Sequence, residues 1–154
     1  MGSFYQNGLV ANLHDFSYGV KGLNNYERLE NDLKIFSNKN PMELILPSLY
    51  SELEGKALPK IINEISKTNY LNHIIIGLDR ASKSEYNKAN NFFKKLNQPF
   101  SILWNDGPRL LALDKELKEK GLSPREFGRG RNVWYCIGMT IARGEAQYVA
   151  LHDG

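Results

Sequence analysis

Short apolar runs alternate with helical stripes along most of the chain, and this alternation limits the choice of fold more than any other feature. The runs Glu43–Pro47, His73–Leu78, Phe100–Trp104 and Ala146–Leu151 are each five or six residues long and mostly rich in aliphatic side chains. Apolar strands without regular polar alternation are typical of a sheet that helices cover on both faces. The sequence therefore predicts four buried strands.

Stripes of apolar residues at helical spacing lie before and between these runs. They consist of Leu29, Leu33 and Phe36; Leu58, Ile61, Ile62 and Ile65; Tyr86, Ala89, Phe92, Phe93 and Leu96; Leu110, Leu113 and Leu117; and Val133, Ile137 and Ile141. Strand and helix in alternation predict an α/β fold, a Rossmann-like α/β/α domain with a mostly parallel sheet. We assign residues 26–154 to this domain. Residues 1–25, which have no firm period, are predicted to be irregular.

Composition narrows the classes of function. Lys and Arg number 20 against 17 Asp and Glu, a surplus too small to indicate nucleic-acid binding. The single cysteine, Cys136, excludes an internal disulfide, and it is expected to pack on or beside the apolar face of its helix. No apolar run is long enough to cross a bilayer, and no secretion-signal pattern opens the chain. We expect a cytoplasmic protein without nucleic-acid or membrane partners. The sequence is compatible with a homo-oligomer.

The loop after the first strand is the first candidate site, because ligands of parallel sheets bind at the carboxyl ends of strands. Its backbone groups and carboxylates, within Pro47–Gly55, suit a nucleotide base and ribose. The same loop can be explained without a ligand, since Ser51 and Glu54 have the spacing of a capping box. Both interpretations can hold at once.

Two further strand ends carry polar residues with more than one interpretation. Asp79 follows the second strand, where it caps a helix or closes a turn, or accepts a hydrogen bond from a nucleotide. Asn105–Pro108 follows the third strand and has strong turn chemistry. The neighbouring Arg109 is either solvated or within reach of a phosphate.

The turn Gly128–Arg131 precedes a predicted helix and is the most basic of these segments. Its glycines allow the backbone to approach a ligand, and its two arginines supply charge for a diphosphate at a helix N-terminus. Its spacing matches neither GxGxxG nor GxxxxGK[ST]. The alternative is a flexible basic turn.

The last predicted strand runs directly into His152 and Asp153. A carboxylate at this edge of the sheet is a suitable ligand for Mg²⁺ or Mn²⁺, although a metal site needs at least a second ligand. Because the sequence stops after this strand, we expect it to be the N-terminal part of a longer protein.

Five segments together resemble a known family. In chain order they are LPSLYSELEG (46–55), IIIGLDRA (74–81), ILWNDGPRL (102–110), GRGRNVWYC (128–136) and VALHD (149–153). They resemble bacterial glycosyltransferases of the glucosyl-3-phosphoglycerate synthase type, which are nucleotide-sugar transferases of GT-A fold. The resemblance spans most of the chain but covers only the family's donor-binding part.

The resemblance implies a role for each segment. The first loop binds the nucleotide, the second strand end faces the base, and the basic residue between two glycines lies near the diphosphate. The implied contacts to the nucleotide sugar are Pro47, Ser48, Leu49, Glu52, Asp79, Gly128, Arg129 and Gly130. Asp153 stands where the family's Asp-x-Asp motif begins, whose carboxylates bind ribose and a divalent metal, Mg²⁺ or Mn²⁺. The second Asp of that motif is missing.

The implied activity is transfer of a hexose, in the first instance glucose, from a nucleotide diphosphate sugar to a small phosphorylated acceptor such as 3-phosphoglycerate. Residues 26–154 are then a nucleotide-sugar-binding domain truncated at its C-terminus. No catalytic residue is assigned. The alternative is a non-catalytic α/β module that binds a nucleotide or a protein partner.

Overall fold

The computed structural model describes residues 25–124 and 127–152. The predicted irregular segment, apart from its last residue, and the predicted metal ligand Asp153 lie outside the described residues. The chain divides into two compact units, residues 1–36 and 37–154. The described part of the first unit is residues 25–36, which belong to helix α1 (Asn25–Ser37). This helix covers the one predicted from the stripe that ends at Phe36.

The second unit contains the alternating strands and helices. In chain order they are β1 (Met42–Leu49), a short 3-10 helix (Tyr50–Glu54), α2 (Ala57–Ile65), β2 (His73–Asp79), α3 (Lys83–Phe93), β3 (Phe100–Trp104), α4 (Pro108–Glu119), α5 (Arg129–Arg143) and β4 (Tyr148–Leu151). The predicted α/β class is therefore confirmed. Strand β1 is longer than predicted, because it continues two residues beyond Pro47.

The four strands form one sheet in the order β3-β2-β1-β4, and every neighbouring pair is parallel. Leu49 at the end of β1 pairs with Asp79 at the end of β2. The loops that follow these two central strands consequently begin side by side at one edge of the sheet. This is the edge at which ligands bind in open parallel sheets.

The main core lies between one face of the sheet and helices α2 and α3. Its fully buried members include Leu46, Ile62, Ile76, Ala89 and Phe93. The other face carries a smaller cluster of Ile45, Ile75 and Cys136, the last of which belongs to α5. Burial of each large aliphatic side chain stabilises the fold by roughly 1.5–3 kcal/mol. Strands β1 and β2 are thus covered on both faces, as predicted.

Helix α5 buries a different face from the one that its apolar stripe predicts. Ile137 and Ile141 are 45% and 73% exposed. The residues that face inward are Arg131, Asn132, Tyr135, Cys136 and Thr140. Only the predicted burial of Cys136 is confirmed. The prediction for the stripe is wrong because this face is attached by a hydrogen bond from Asn132 and an ion pair of Arg131, together with the small apolar cluster around Cys136.

Helix α4 shows the same inversion at one position. Leu110 is buried as expected, but Leu113 is exposed and the next residue, Asp114, is buried instead.

Strand β4 also departs from the prediction of a buried strand, since all four of its residues are exposed. Within the described ranges, no helix has both the length and the hydropathy needed to span a membrane.

Candidate functional site

A pocket of about 250 Å³ opens where β1 and β2 end and α5 begins. Its lining consists of Pro47, Ser48, Leu49, Glu52, Asp79, Arg80, Gly128, Arg129 and Asn132. Seven of the eight residues predicted to contact a nucleotide sugar therefore meet in one place. The eighth, Gly130, follows one residue further into α5 and is not part of the lining. Arg80 and Asn132 line the pocket but were not predicted.

The first wall of the pocket is the loop from β1 into the 3-10 helix. The backbone N–H of Leu49 donates to Glu52 Oε2 over 2.9 Å, and this bond fixes the chain as it leaves the strand. The predicted capping box of Ser51 and Glu54 is therefore wrong, because Glu52 is the acid that closes the loop. A 3-10 helix of only five residues follows the strand, and the first α-helix after it is α2.

Ser48 contributes a buried hydroxyl to the same wall. The residue is only 2% exposed, and its Oγ has no hydrogen-bond partner among the described residues. Buried polar atoms in native proteins are nearly always paired with protein, water or ligand. An unpaired hydroxyl in the lining is therefore suited to a ligand with a matching donor or acceptor.

The second wall is the end of β2. Asp79 Oδ1 accepts a hydrogen bond from the backbone N–H of Arg80 over 3.1 Å. The N-cap of α3 is Ser82, whose N–H donates to Glu85 Oε2 over 2.7 Å. Of the two structural roles considered for Asp79, helix capping is therefore wrong. Turn closure stays a prediction, because the bond from Arg80 joins adjacent residues and spans no turn.

The third wall is the start of α5. Asn132 Nδ2 donates to the carbonyl oxygen of Gly77 in β2 over 2.8 Å, and the side chain of Asn132 is buried. A Cβ at Gly77 would lie 1.8 Å from Asn132 Oδ1, so only glycine allows this approach. Gly128 precedes the helix at a φ of +140° and has open space around it. The first turn of α5 is therefore docked on β2, with Arg129 beside the pocket.

Arg131 does not share the predicted role of Arg129. Its guanidinium is buried, lies 3.3 Å from Asp114 Oδ2 and stacks over the ring of Phe127. Burial alone would raise the pKa of Asp114. Hydrogen bonds from Lys118, Tyr135 and Ser123, with the charge of Arg131, hold that pKa well below its usual range. Arg131 therefore ties α5 to α4 rather than facing the pocket.

The remaining predicted residues lie elsewhere. Arg109 lines a separate groove together with Lys83 and Trp104. Burial raises the pKa of Cys136 to about 12, so its thiol is not a nucleophile at neutral pH. In the described part of the chain, no group of three or more His, Cys, Asp or Glu side chains could hold a metal ion.

Comparison with known proteins supports the resemblance found in the sequence. The chain matches no known family model, and no solved structure matches it. It is 39% identical over 153 residues to the glucosyl-3-phosphoglycerate synthase of Persephonella marina, covering 99% of this chain and 37% of that protein. It is 34% identical over 151 residues to the enzyme of that name from Methanococcoides burtonii, covering 97% and 35%. The chain thus spans about a third of the length of these curated relatives.

Proposed function

We propose that this chain is the nucleotide-sugar-binding part of a glycosyltransferase. The proposed reaction transfers a hexose, glucose in the first instance, from a nucleotide diphosphate sugar to a small phosphorylated acceptor such as 3-phosphoglycerate. One observation carries the proposal: seven residues predicted from a resemblance to glucosyl-3-phosphoglycerate synthases line one pocket. The similarity to two proteins of that name supports the same activity.

The side chains of the pocket suit two parts of such a donor, its diphosphate and its nucleoside. Arg129 lies in the first turn of α5, where the helix N-terminus and a guanidinium both favour a diphosphate. Glu52 and Asp79 supply carboxylate oxygens, which accept hydrogen bonds from ribose hydroxyls and base N–H groups. As the sugar leaves, negative charge develops on the nucleoside diphosphate, and Arg129 is placed to stabilise it.

A divalent metal at Asp153 remains a prediction that rests on the position of this carboxylate in the sequence and on the resemblance. Such an ion, Mg²⁺ or Mn²⁺, would supply further charge stabilisation to the leaving diphosphate. The described residues do not by themselves provide a set of ligands for it.

Calorimetric titration of UDP-glucose and GDP-glucose in the presence of Mg²⁺ tests the proposal. We expect at least one donor to bind, and we expect Arg129→Ala to weaken that binding about 10-fold to 100-fold, the usual effect of losing a charged hydrogen bond. Arg109→Ala is the matched control, because it removes the same charge outside the pocket and should leave the affinity unchanged. If neither donor gives binding heat, the proposal is wrong.

The alternative, a module that binds without catalysis, is favoured by the exposed apolar side chains of α5, such as Ile137 and Ile141. Helix faces of this kind suit a protein partner. An assay of nucleotide release from donor plus 3-phosphoglycerate separates the two functions. Release with formation of a glycosylated acceptor supports the transferase, whereas donor binding without any transfer favours the alternative.

A further inference from the structure

Arg80 is the one non-glycine residue with a positive φ in the described part of the chain, at +54°. A left-handed backbone is costly for a side chain with a Cβ, and glycine adopts it more readily. Such conformations persist where the surrounding structure enforces them, and they cluster at ligand-binding sites. Arg80 also lines the pocket, although it was not among the residues predicted from the sequence.

Side chains on both sides enforce this conformation. Asp79 Oδ1 accepts from the N–H of Arg80, and Asp106 Oδ2 accepts from the N–H of Ala81 over 2.9 Å. Trp104 Nε1 donates to the carbonyl oxygen of Ala81 over 2.7 Å, and Ser82 begins α3 with a complete capping box. Three consecutive residues, from Arg80 to Ser82, are thus fixed by hydrogen bonds. The turn holds Arg80 at the rim of the pocket at the expense of an unfavourable backbone conformation.

The guanidinium of Arg80 is exposed and makes no hydrogen bond or ion pair with the other described residues. Asp79 and Arg80 both line the pocket, so the end of β2 offers carboxylate acceptors and guanidinium donors to the same ligand space. The carboxylates of Glu52 and Asp79 disfavour a phosphate group near Arg80. Arg129, at the start of α5, favours a phosphate group in its own part of the pocket. The part of the nucleotide expected next to Arg80 is therefore the base.

We propose that Arg80 determines the nucleobase specificity of the donor, an inference that rests on the proposed function. A carboxylate acceptor beside a guanidinium donor matches a ring N–H beside a carbonyl oxygen. Uracil presents this edge as N3–H and O4, and guanine as N1–H and O6. Cytosine and adenine present the reverse pattern, a ring nitrogen acceptor beside an amino group. Arg80 with Asp79 thus selects uracil or guanine nucleotides over cytosine or adenine nucleotides.

Affinities for UDP, CDP, GDP and ADP, measured by calorimetry with the whole chain and its Arg80→Gly variant, test this assignment. The unsubstituted protein should bind UDP more tightly than CDP, or GDP more tightly than ADP. In Arg80→Gly the favoured nucleotide should bind about 10-fold more weakly, with little change for its amino counterpart, so that the discrimination falls. Arg80→Lys, which keeps the charge but not the planar pair of donors, should lose most of the discrimination as well.

Thermal unfolding of the same variant separates binding from folding. Glycine relieves the left-handed backbone, so the Tm of Arg80→Gly should be unchanged or higher by about 2 °C. Arg109→Ala is the control for loss of a positive charge and should alter none of the four affinities.

Three outcomes would overturn the assignment. Unchanged discrimination in Arg80→Gly would show that the base does not contact this residue. Equal weakening of all four nucleotides would place Arg80 at the phosphates instead. If the unsubstituted protein bound none of the four, the proposed function would fail first, and the role of Arg80 would fail with it.

Discussion

Helices α2 and α5 cover opposite faces of the same sheet by opposite means. Helix α2 buries Leu58, Ile62 and Ile65, the apolar stripe that its sequence displays. Helix α5 turns Ile137 and Ile141 outward and attaches itself through polar side chains such as Asn132. The difference shows that apolar periodicity locates a helix but does not decide which of its faces is buried. Where buried polar partners are available, they can determine the orientation.

The largest expected effect comes from truncating one aliphatic side chain on each helix. Ile62→Ala on α2 should lower the free energy of unfolding by about 3 kcal/mol, because it opens a cavity in the main core. Ile137→Ala on α5 should change it by less than about 0.5 kcal/mol, since that side chain is already half exposed. Urea unfolding monitored by circular dichroism measures both. Equal losses would show that the outer face of α5 is covered, and the comparison would fail.

A smaller effect is expected from adding one methyl group at the contact between α5 and β2 and, for comparison, one on the outer face of α5. Gly77→Ala should lower the free energy of unfolding by about 2 kcal/mol and weaken donor binding, because the new Cβ collides with Asn132 and displaces the start of α5. Gly138→Ala, on the outer face of α5 with open space around it, should raise stability by about 0.5 kcal/mol. Chemical denaturation and donor titration of both variants give the measurement. A Gly77→Ala protein with normal stability and affinity would contradict the tight docking of α5.

The smallest effect concerns pH at the other end of α5. Burial, with the charge of Arg143, lowers the pKa of His73 from 6.5, while Glu43 and Glu145 oppose the shift. The folded protein therefore favours the neutral ring, and the unfolded chain binds a proton more readily. Stability that is complete above about pH 6.5 should decline as the pH falls through the lowered pKa. Thermal melts from pH 8 to pH 5 should show this decline.

His73→Gln provides the matched comparison for that experiment. Its Tm should fall less between pH 8 and pH 5 than that of the unsubstituted protein, because the titrating ring is gone. An identical pH dependence in both proteins would exclude His73 as its source.

Much of the fold could be predicted because strands that are buried on both faces consist mainly of apolar residues, which the sequence shows directly. The interior of strand β2, Ile74 to Leu78, contains no polar side chain, and the polar residues that follow each strand mark the edge where ligands bind. This rule, together with the family resemblance, brought Ser48, Asp79 and Arg129 into one predicted site. The structure places them around one pocket.

The missed features depend on contacts between distant parts of the chain. The buried guanidinium of Arg131 is compensated by an ion pair with Asp114. The side chain of Asn132 fits against β2 because Gly77 has no Cβ. A glycine inside an apolar strand is a known sign of close backbone approach, so Gly77 was a usable signal. Arg80 had no such signal, since its left-handed backbone is a product of the turn around it.

Strand β4 affects how the protein behaves at high concentration. It lies at one end of the sheet order, pairs with β1 alone among the described strands, and exposes Tyr148, Val149 and Leu151. An uncovered edge strand with apolar side chains is a template for pairing with strands of other molecules, and charged or proline residues usually guard against it. No such residue lies within Tyr148–Leu151. Among the described residues, this edge is therefore prone to self-association at high concentration, and dilution reduces it.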